Sequence, residues 1–388
     1  MAEDGRKKIC VVTATRAEYG LLRPIIKRLK QEPKFDVKVA VTGAHLSPEF
    51  GLTYREIEQD QIEIDKKIEI LLSGDTPSAI SKSMGLALMG FSDYFSEQNF
   101  DMLILLGDRY ETLAVACAAM NAQIPIAHLY GGETTEGAID EGIRHAITKL
   151  SYLHMTSTEE YRKRVIQMGE APDRVFCVGA VGIENALHTN LLTPAELFPY
   201  LGITGERPFA VVTFHPVTLE KDSAAIQTRE LLQALEQFPG WDFIITKANA
   251  DKGGRIINEL MCHYADAHDN VKVFDSLGMQ RYLSALKYCK MVIGNSSSGL
   301  IEAPSFHVPT INIGDRQRGR IKAASVIDCE PNRISIEKAM RQAAEKNLNG
   351  IKNPYGDGET SEKILAILQR VLFEKKVDLK KPFYDIAF

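Results

Sequence analysis

Residues 291–320 read MVIGNSSSGLIEAPSFHVPTINIGDRQRGR. An apolar strand runs into Gly294-Asn295-Ser296-Ser297-Ser298-Gly299, then into a helix opening with Leu300-Ile301-Glu302. A second apolar strand, Val308–Ile313, ends in Gly314-Asp315-Arg316. Glycines and small hydroxyl residues where a strand enters a helix expose backbone N–H groups at the helix's positive end, an anion site best matched to phosphate. The glycines let the backbone approach closely. Arg316, Arg318 and Arg320, beyond the second strand, supply charge and bidentate donors. Two neighbouring strands thus bring phosphate chemistry to one sheet edge.

The same strand–helix alternation extends outward in both directions. Short runs that are apolar on both faces fall at Ile9–Ala14, Val37–Thr42, Met102–Leu106, Pro125–Leu129, Leu153–Thr156 and Val175–Val178. A second series falls at Phe209–Phe214, Asp242–Thr246, Val271–Phe274, Met291–Ile293, Val308–Ile313 and Ala324–Ile327. Such runs read as parallel strands covered by helices, and right-handed crossovers give two doubly wound, Rossmann-like α/β sheets. At 388 residues, two domains are the default. The first is expected over residues 1–181, joined by the C-terminal tail 365–388. Residues 182–206, with Pro194, Pro199, Gly202 and Gly205, read as a linker, and 207–364 as the second domain. Ligands of open α/β sheets bind beyond the carboxyl ends of strands, so a cleft between the two sheets is the expected site.

Composition narrows the class. A net charge of −5 with dispersed lysines and arginines disfavours nucleic acid and membrane surfaces as partners. Met1–Lys8 is polar, so no secretory signal is expected, and no apolar run approaches a membrane span. Six scattered cysteines without C-x-x-C suit buried thiols in a reducing cytoplasm rather than zinc. The motifs G-x-G-x-x-G after the first strand, G-x-x-x-x-G-K-[ST] and G-x-S-x-G are absent, which disfavours a dinucleotide cofactor, a P-loop NTPase and a nucleophile-elbow hydrolase. No metal site or cofactor is expected.

The unusual residues cluster at strand ends. Ile9–Ala14 runs into Thr15-Arg16-Ala17-Glu18-Tyr19-Gly20, where Arg16 meets a helix start. Met102–Leu106 ends in Gly107-Asp108-Arg109-Tyr110-Glu111; Asp108 is either a helix N-cap or a carboxylate for acid–base work beside Arg109. Pro125–Leu129 ends in Tyr130-Gly131-Gly132-Glu133, followed by Asp140-Glu141 and Arg144-His145. The Gly pair argues for tight approach to a ligand or a helix. Phe209–Phe214 ends in His215-Pro216, with His215 in extended backbone before proline. Asp242–Thr246 ends in Lys247-Ala248-Asn249, and Asn249 can bind a base, a ribose or its own turn.

Taken together, TRAEYG at 15–20, GDRYE at 107–111, GGETTEGAIDEGIRHAITK at 131–149, FHPVT at 214–218, GNSSSG at 294–299 and GDRQRGR at 314–320 resemble the UDP-N-acetylglucosamine 2-epimerase family, especially its hydrolysing branch. The resemblance spans nearly the whole chain. It implies the two-domain GT-B-like fold, a UDP-sugar substrate, no cofactor, and a homodimer or homotetramer. It implies that Ser296 and Ser297 bind the diphosphate with Arg16 and its neighbour Ala17, that Glu302 holds the ribose, and that Leu277 meets uracil through its backbone with Asn249 nearby. His215 and Arg316 match positions close to phosphates and sugar; Asp108 and Arg109 match the Asp-Arg pair at the sugar. The implied reaction eliminates UDP to a 2-acetamidoglucal and adds water, giving the free 2-epimer. Many members carry a catalytic Glu before the Gly-Gly pair, where this chain has Tyr130. Asp108 is then the first choice of catalytic carboxylate, Glu133 the nearest substitute, and Asp140 matches another catalytic acid. Relatives in legionaminic-acid synthesis act on a diacetamido-trideoxy sugar, N,N′-diacetylbacillosamine, and the Tyr130 change fits that sugar also.

Overall fold

The computed structural model describes residues 5–72, 76–134, 139–217, 223–248 and 254–387. The chain divides into two compact units, Met1–Asn185 with Tyr355–Phe388, and Ala186–Pro354.

The first unit holds strands β1 (Lys7–Thr13), β2 (Phe35–Thr42), β3 (Lys66–Ile68), β4 (Met102–Leu106), β5 (Ile126–Leu129), β6 (Leu153–Thr156) and β7 (Val175–Cys177). They form one parallel sheet in the order β3-β2-β1-β4-β5-β6-β7. Alternate residues feed opposite faces. Ile9, Val11, Met102 and Ile104 enter one core cluster; Cys10, Val12, Leu103 and Leu105 enter another. Burial on both faces is why these strands read as unbroken apolar runs. The strand order reverses between β1 and β4, which pair with Val11 opposite Ile104. The segments after Thr13 and Leu106 therefore flank a topological switch point.

The second unit holds β8 (Phe209–Thr213), β9 (Asp242–Thr246), β10 (Val271–Phe274), β11 (Met291–Gly294), β12 (Thr310–Ile313) and β13 (Val326–Cys329), parallel in the order β10-β9-β8-β11-β12-β13. Val212 and Ile293 face one core cluster, Val211 and Val292 the other. Here the order reverses between β8 and β11, where Thr213 pairs with Gly294.

All twelve expected strands are present. The thirteenth, β3, was not legible: Lys66-Lys67-Ile68 is a short edge strand without an apolar run. Residues 182–206 carry the helix Val181–His188 and the helix Pro194–Leu201. Pro194 begins the latter rather than breaking it, behind a Thr193–Glu196 capping box.

The chain rejoins the first unit at Tyr355, whose carbonyl accepts from the Ala180 N–H at 2.7 Å. Gly179 and Gly356 pass so closely that a Cβ on Gly356 would lie 3.1 Å from the Gly179 Cα. The helix Thr360–Gln369 then buries Ile364, Leu365 and Leu368 in the first unit's core. Among the described residues no helix is long and apolar enough to cross a membrane.

Candidate active site

In the first unit the site is built at the ends of β4 and β5. β4 turns at Gly107, whose φ of +81° suits glycine. The Gly107 carbonyl accepts from Nε2 of His128 at 2.8 Å. His128 is wholly buried on β5, and burial pushes its pKa down to about 3, with the Gly107 bond opposing. It is therefore a neutral donor that fixes the turn.

The turn sets Asp108 against Arg144, which pairs with it through Nη2. Arg144 is only 4% exposed, and its Nη1 donates to the Glu133 carbonyl at 2.8 Å and to Glu141 at 3.0 Å. One buried cation thus ties the β4 loop, the Gly-Gly loop and the helix Asp140–Leu150. The N-cap alternative for Asp108 is not realised. Arg109 caps the helix Tyr110–Asn121, and its Nε donates to the buried Glu111 at 2.6 Å.

Glu133 accepts from Ser157 Oγ at 2.6 Å. Asp140 opens its helix, and burial followed by the charge of Asp108 holds its pKa above the usual carboxylate range. His145 lies 3.2 Å from Glu141. The Gly pair serves packing, since a Cβ on Gly132 would lie 2.4 Å from the Tyr161 carbonyl of the helix Glu159–Gln167. Tyr130 adopts a left-handed φ of +68°, at a cost on the order of 1 kcal/mol. Its hydroxyl accepts from the Val181 N–H at 2.9 Å.

At the end of β1, Thr15 caps the helix Arg16–Lys30, and Glu18 accepts from the Ala14 and Thr15 N–H groups at 2.7 and 3.1 Å. Burial pushes Glu18 up to about 7, and the charge of Glu111 adds to it. Arg16 is exposed and pairs with Glu56 at 2.9 Å; Ala17 is exposed beside it.

The second unit gathers its groups around Asn295. Gly294 ends β11 at φ +135°, and a Cβ there would sit 1.9 Å from the Thr213 carbonyl oxygen. The Asn295 side chain accepts from the His215 N–H at 2.7 Å and donates to the His215 carbonyl at 2.8 Å. The Asn295 carbonyl accepts from Arg316 Nη1 at 3.1 Å and from Gln317 Nε2 at 2.8 Å. His215, Ser296 and Arg316 are thereby brought together, with Ser297 next in the chain.

The expected helix is a single turn, Ser298–Ile301, continued by a 3-10 turn at Ala303–Phe306. Pro304, which has no N–H to give, and the Thr310 hydroxyl, which donates to the Gly299 carbonyl at 2.7 Å, stop it. A single turn carries little macrodipole, so the helix-dipole component of the expected anion site is weak here. Arg318 is exposed and lines a cavity of about 710 Å³ with Lys322, Asp328 and Lys338.

Glu302 ends the turn with its Oε2 buried and unpartnered. Burial pushes its pKa up to about 7, opposed by Ser298 and by the charge of Arg320. Leu277 is a buried N-cap residue of the helix Gly278–Tyr288. Asn249, and Thr218 of the FHPVT segment, lie outside the described residues.

Three organising residues escaped the sequence reading. His128 was visible as the one polar residue inside an apolar run. Arg144 stands three residues after Glu141, the helical spacing of an ion pair. Asn295 carried no signal apart from its glycine and serine neighbours.

A family model described as UDP-N-acetylglucosamine 2-epimerase matches residues 27–369. A GDP/UDP-N,N′-diacetylbacillosamine 2-epimerase (hydrolyzing) of Campylobacter jejuni is 45% identical over 328 residues, 84% of this chain and 85% of that protein. The polysialic acid biosynthesis protein P7 of Escherichia coli is 42% identical over 385 residues, 98% of each chain. The crystal structure of a Neisseria meningitidis UDP-GlcNAc 2-epimerase bound to UDP-GlcNAc superposes with a TM-score of 0.79 at 19% identity, covering 94% of this chain and all of that one. The fold is therefore GT-B-like.

Arg144→Met leaves Asp108 and Glu141 without their shared buried cation, and a loss of about 3–5 kcal/mol is expected. Lys163→Met, which removes the exposed pair with Glu160, is expected to cost nothing measurable. Urea unfolding of both variants makes the comparison; equal losses would remove Arg144 from its organising role.

Proposed function

Because the chain belongs to the UDP-N-acetylglucosamine 2-epimerase family, we propose that it is a hydrolysing 2-epimerase that converts UDP-N-acetylglucosamine and water into N-acetylmannosamine and UDP. The observation that carries this reading is the pair of carboxyls, Asp108 and Asp140, that share the field of Arg144. Two neighbouring acids with unequal environments divide acid and base roles between them. Asp108, ion-paired to Arg144, takes the C2 proton. The C1–O bond breaks with its electron pair leaving on UDP, and a C1=C2 double bond remains. Asp140, whose burial and neighbouring Asp108 charge raise its pKa, then gives a proton to the opposite face of C2 as water adds at C1, and the proton shed by that water returns through solvent to Asp140.

The C2 hydrogen is weakly acidic, so stabilising the departing diphosphate supplies much of the rate. Ser296, Ser297, His215 and Arg316 are proposed for that task, with Arg16 and Ala17, and Glu302 for the ribose. Leu277 is proposed to meet the base through its main chain. Arg109 and Glu133 are proposed as sugar contacts.

A second reading keeps the chemistry and changes the sugar to the diacetamido-trideoxy hexose of N,N′-diacetylbacillosamine. The name carried by the 45% identical relative favours it. We also propose a cytoplasmic homo-oligomer, with exposed Leu86, Met89 and Met120 supplying apolar surface for a second copy. Light scattering checks this, and a monomer at micromolar concentration would oppose it.

UDP release without any acceptor, measured separately for the two sugar nucleotides, tests the function. Release from UDP-N-acetylglucosamine at the higher kcat/KM supports the first reading, and the reverse order the second. Release only with an added acceptor would point to a glycosyltransferase. Asp108→Asn is expected to lower kcat about 1,000-fold or more, the range for one general acid–base group, while UDP binding stays nearly intact.

UDP affinity should also depend on pH. Glu302 titrates near 7 without ligand, and only its ionised form accepts from both ribose hydroxyls. Affinity is therefore expected to rise as pH increases from 6 to 8. Calorimetric titration of Glu302→Gln, in which that component should vanish, separates it from titration of UDP itself.

A further inference from the structure

Among the buried polar atoms of the second unit that lack a hydrogen-bond partner within normal geometry are the Tyr282 hydroxyl, Ser298 Oγ and Glu302 Oε2. They come from adjoining pieces of the fold. Tyr282 sits on the helix Gly278–Tyr288, Ser298 opens the single turn, and Glu302 follows its last residue. The Ser298 hydroxyl lies close enough to both of the others to influence each as a hydrogen-bond partner, though neither contact closes to normal hydrogen-bond geometry. Leaving such groups unpaired in a dry interior is costly.

With Glu302 ionised, one arrangement pairs all three. A phenol donates once, a serine hydroxyl donates once while accepting, and a carboxylate only accepts. Tyr282 therefore donates to Ser298, and Ser298 donates to Glu302. Burial raises the phenol's pKa, so Tyr282 keeps the proton this order requires. The order closes on the ionised carboxylate. The chain engages only Oε2, which is buried, while Glu302 as a whole keeps some exposed surface; Oε1 is the oxygen outside the chain.

We propose that Tyr282 and Ser298 are positioning residues: they anchor the inner oxygen of Glu302 by a closed hydrogen-bond chain and so present its outer oxygen to the vicinal hydroxyls of the nucleotide's ribose. This rests on the reading of Glu302 as the ribose-holding residue and adds two residues behind it. Ribose selectivity then depends on a tyrosine that never touches the ligand. The single turn from Ser298 is too short to orient Glu302 alone, and Tyr282 supplies the orientation from a longer helix.

The test is calorimetric binding of UDP, 2′-deoxy-UDP and 3′-deoxy-UDP to the full-length protein and to Tyr282→Phe, Ser298→Ala and the double variant. The wild type is expected to prefer UDP over both deoxy analogues. Tyr282→Phe should weaken UDP binding about tenfold, the effect of one hydrogen bond to a charged group, and leave the deoxy analogues nearly unchanged. Ser298→Ala should do the same, and the double variant should lose no more than either alone. Equal loss for all three nucleotides in Tyr282→Phe, or additive losses in the double variant, would overturn the chain while the ribose reading stood. Equal binding of the three nucleotides by the wild type would overturn the ribose reading itself. Should Tyr282→Phe not fold, Ser298→Ala alone decides by the same selectivity.

Discussion

The two hydrogen bonds between the Asn295 side chain and the main chain of His215 govern the carboxyl edge of the second sheet. A parallel strand that ends leaves its last N–H and C=O groups without a ladder partner, and those groups must be met by something. Asn295 meets them as a neighbouring strand would, at 2.7 and 2.8 Å. It can do so because Gly294, lacking a Cβ, brings β11 against the Thr213 carbonyl. The segment after β12 is drawn in through Arg316 and Gln317 on the Asn295 carbonyl. Three strand ends thereby become one surface, and the serines that follow are placed on it.

The first sheet solves the same problem with charge. Arg144 is buried and satisfied by two carboxylates and a carbonyl. A buried ion pair is weak evidence for stability, since desolvation consumes much of the attraction. Its effect here is geometric and electrostatic. It sets Asp108 at a defined place after β4; burial and then the charge of Asp108 hold the Asp140 pKa up, against the opposing charges of Arg109 and Arg144. The neutral His128 behind Gly107 holds the turn without adding charge. The two units therefore organise their strand ends by different means: a buried cation among carboxylates in one, a side-chain amide bonded to the main chain in the other.

Strand positions were legible because both faces of each sheet are covered, which forces continuous apolar runs such as MLILL at Met102–Leu106. β3 was hidden because an edge strand with one buried residue has no such run. The helix after Ser297 was expected because glycines and small hydroxyl residues at a strand end match a helix start; it is a single turn. Its early end comes from Pro304 and from the contact of Gly299 with Thr310, a tertiary fact absent from local pattern. Asp108 drew notice from its place after β4, and Asp140 from the family resemblance. Arg144, which pairs with Asp108 and Glu141, looked like an ordinary helical arginine. Glycines told that something packs closely but not what: Gly132 meets a helix carbonyl, whereas Gly294 meets a strand.

The central claim is that a proton leaves and returns at C2 while UDP departs from C1. Proton NMR during turnover of UDP-N-acetylglucosamine in D₂O, with the diacetamido-trideoxy sugar nucleotide in parallel, follows both events at once. The account expects free 2-epimer fully deuterated at C2, together with stoichiometric UDP, from one of the two substrates. Release of UDP with the original C2 hydrogen and configuration retained would contradict it.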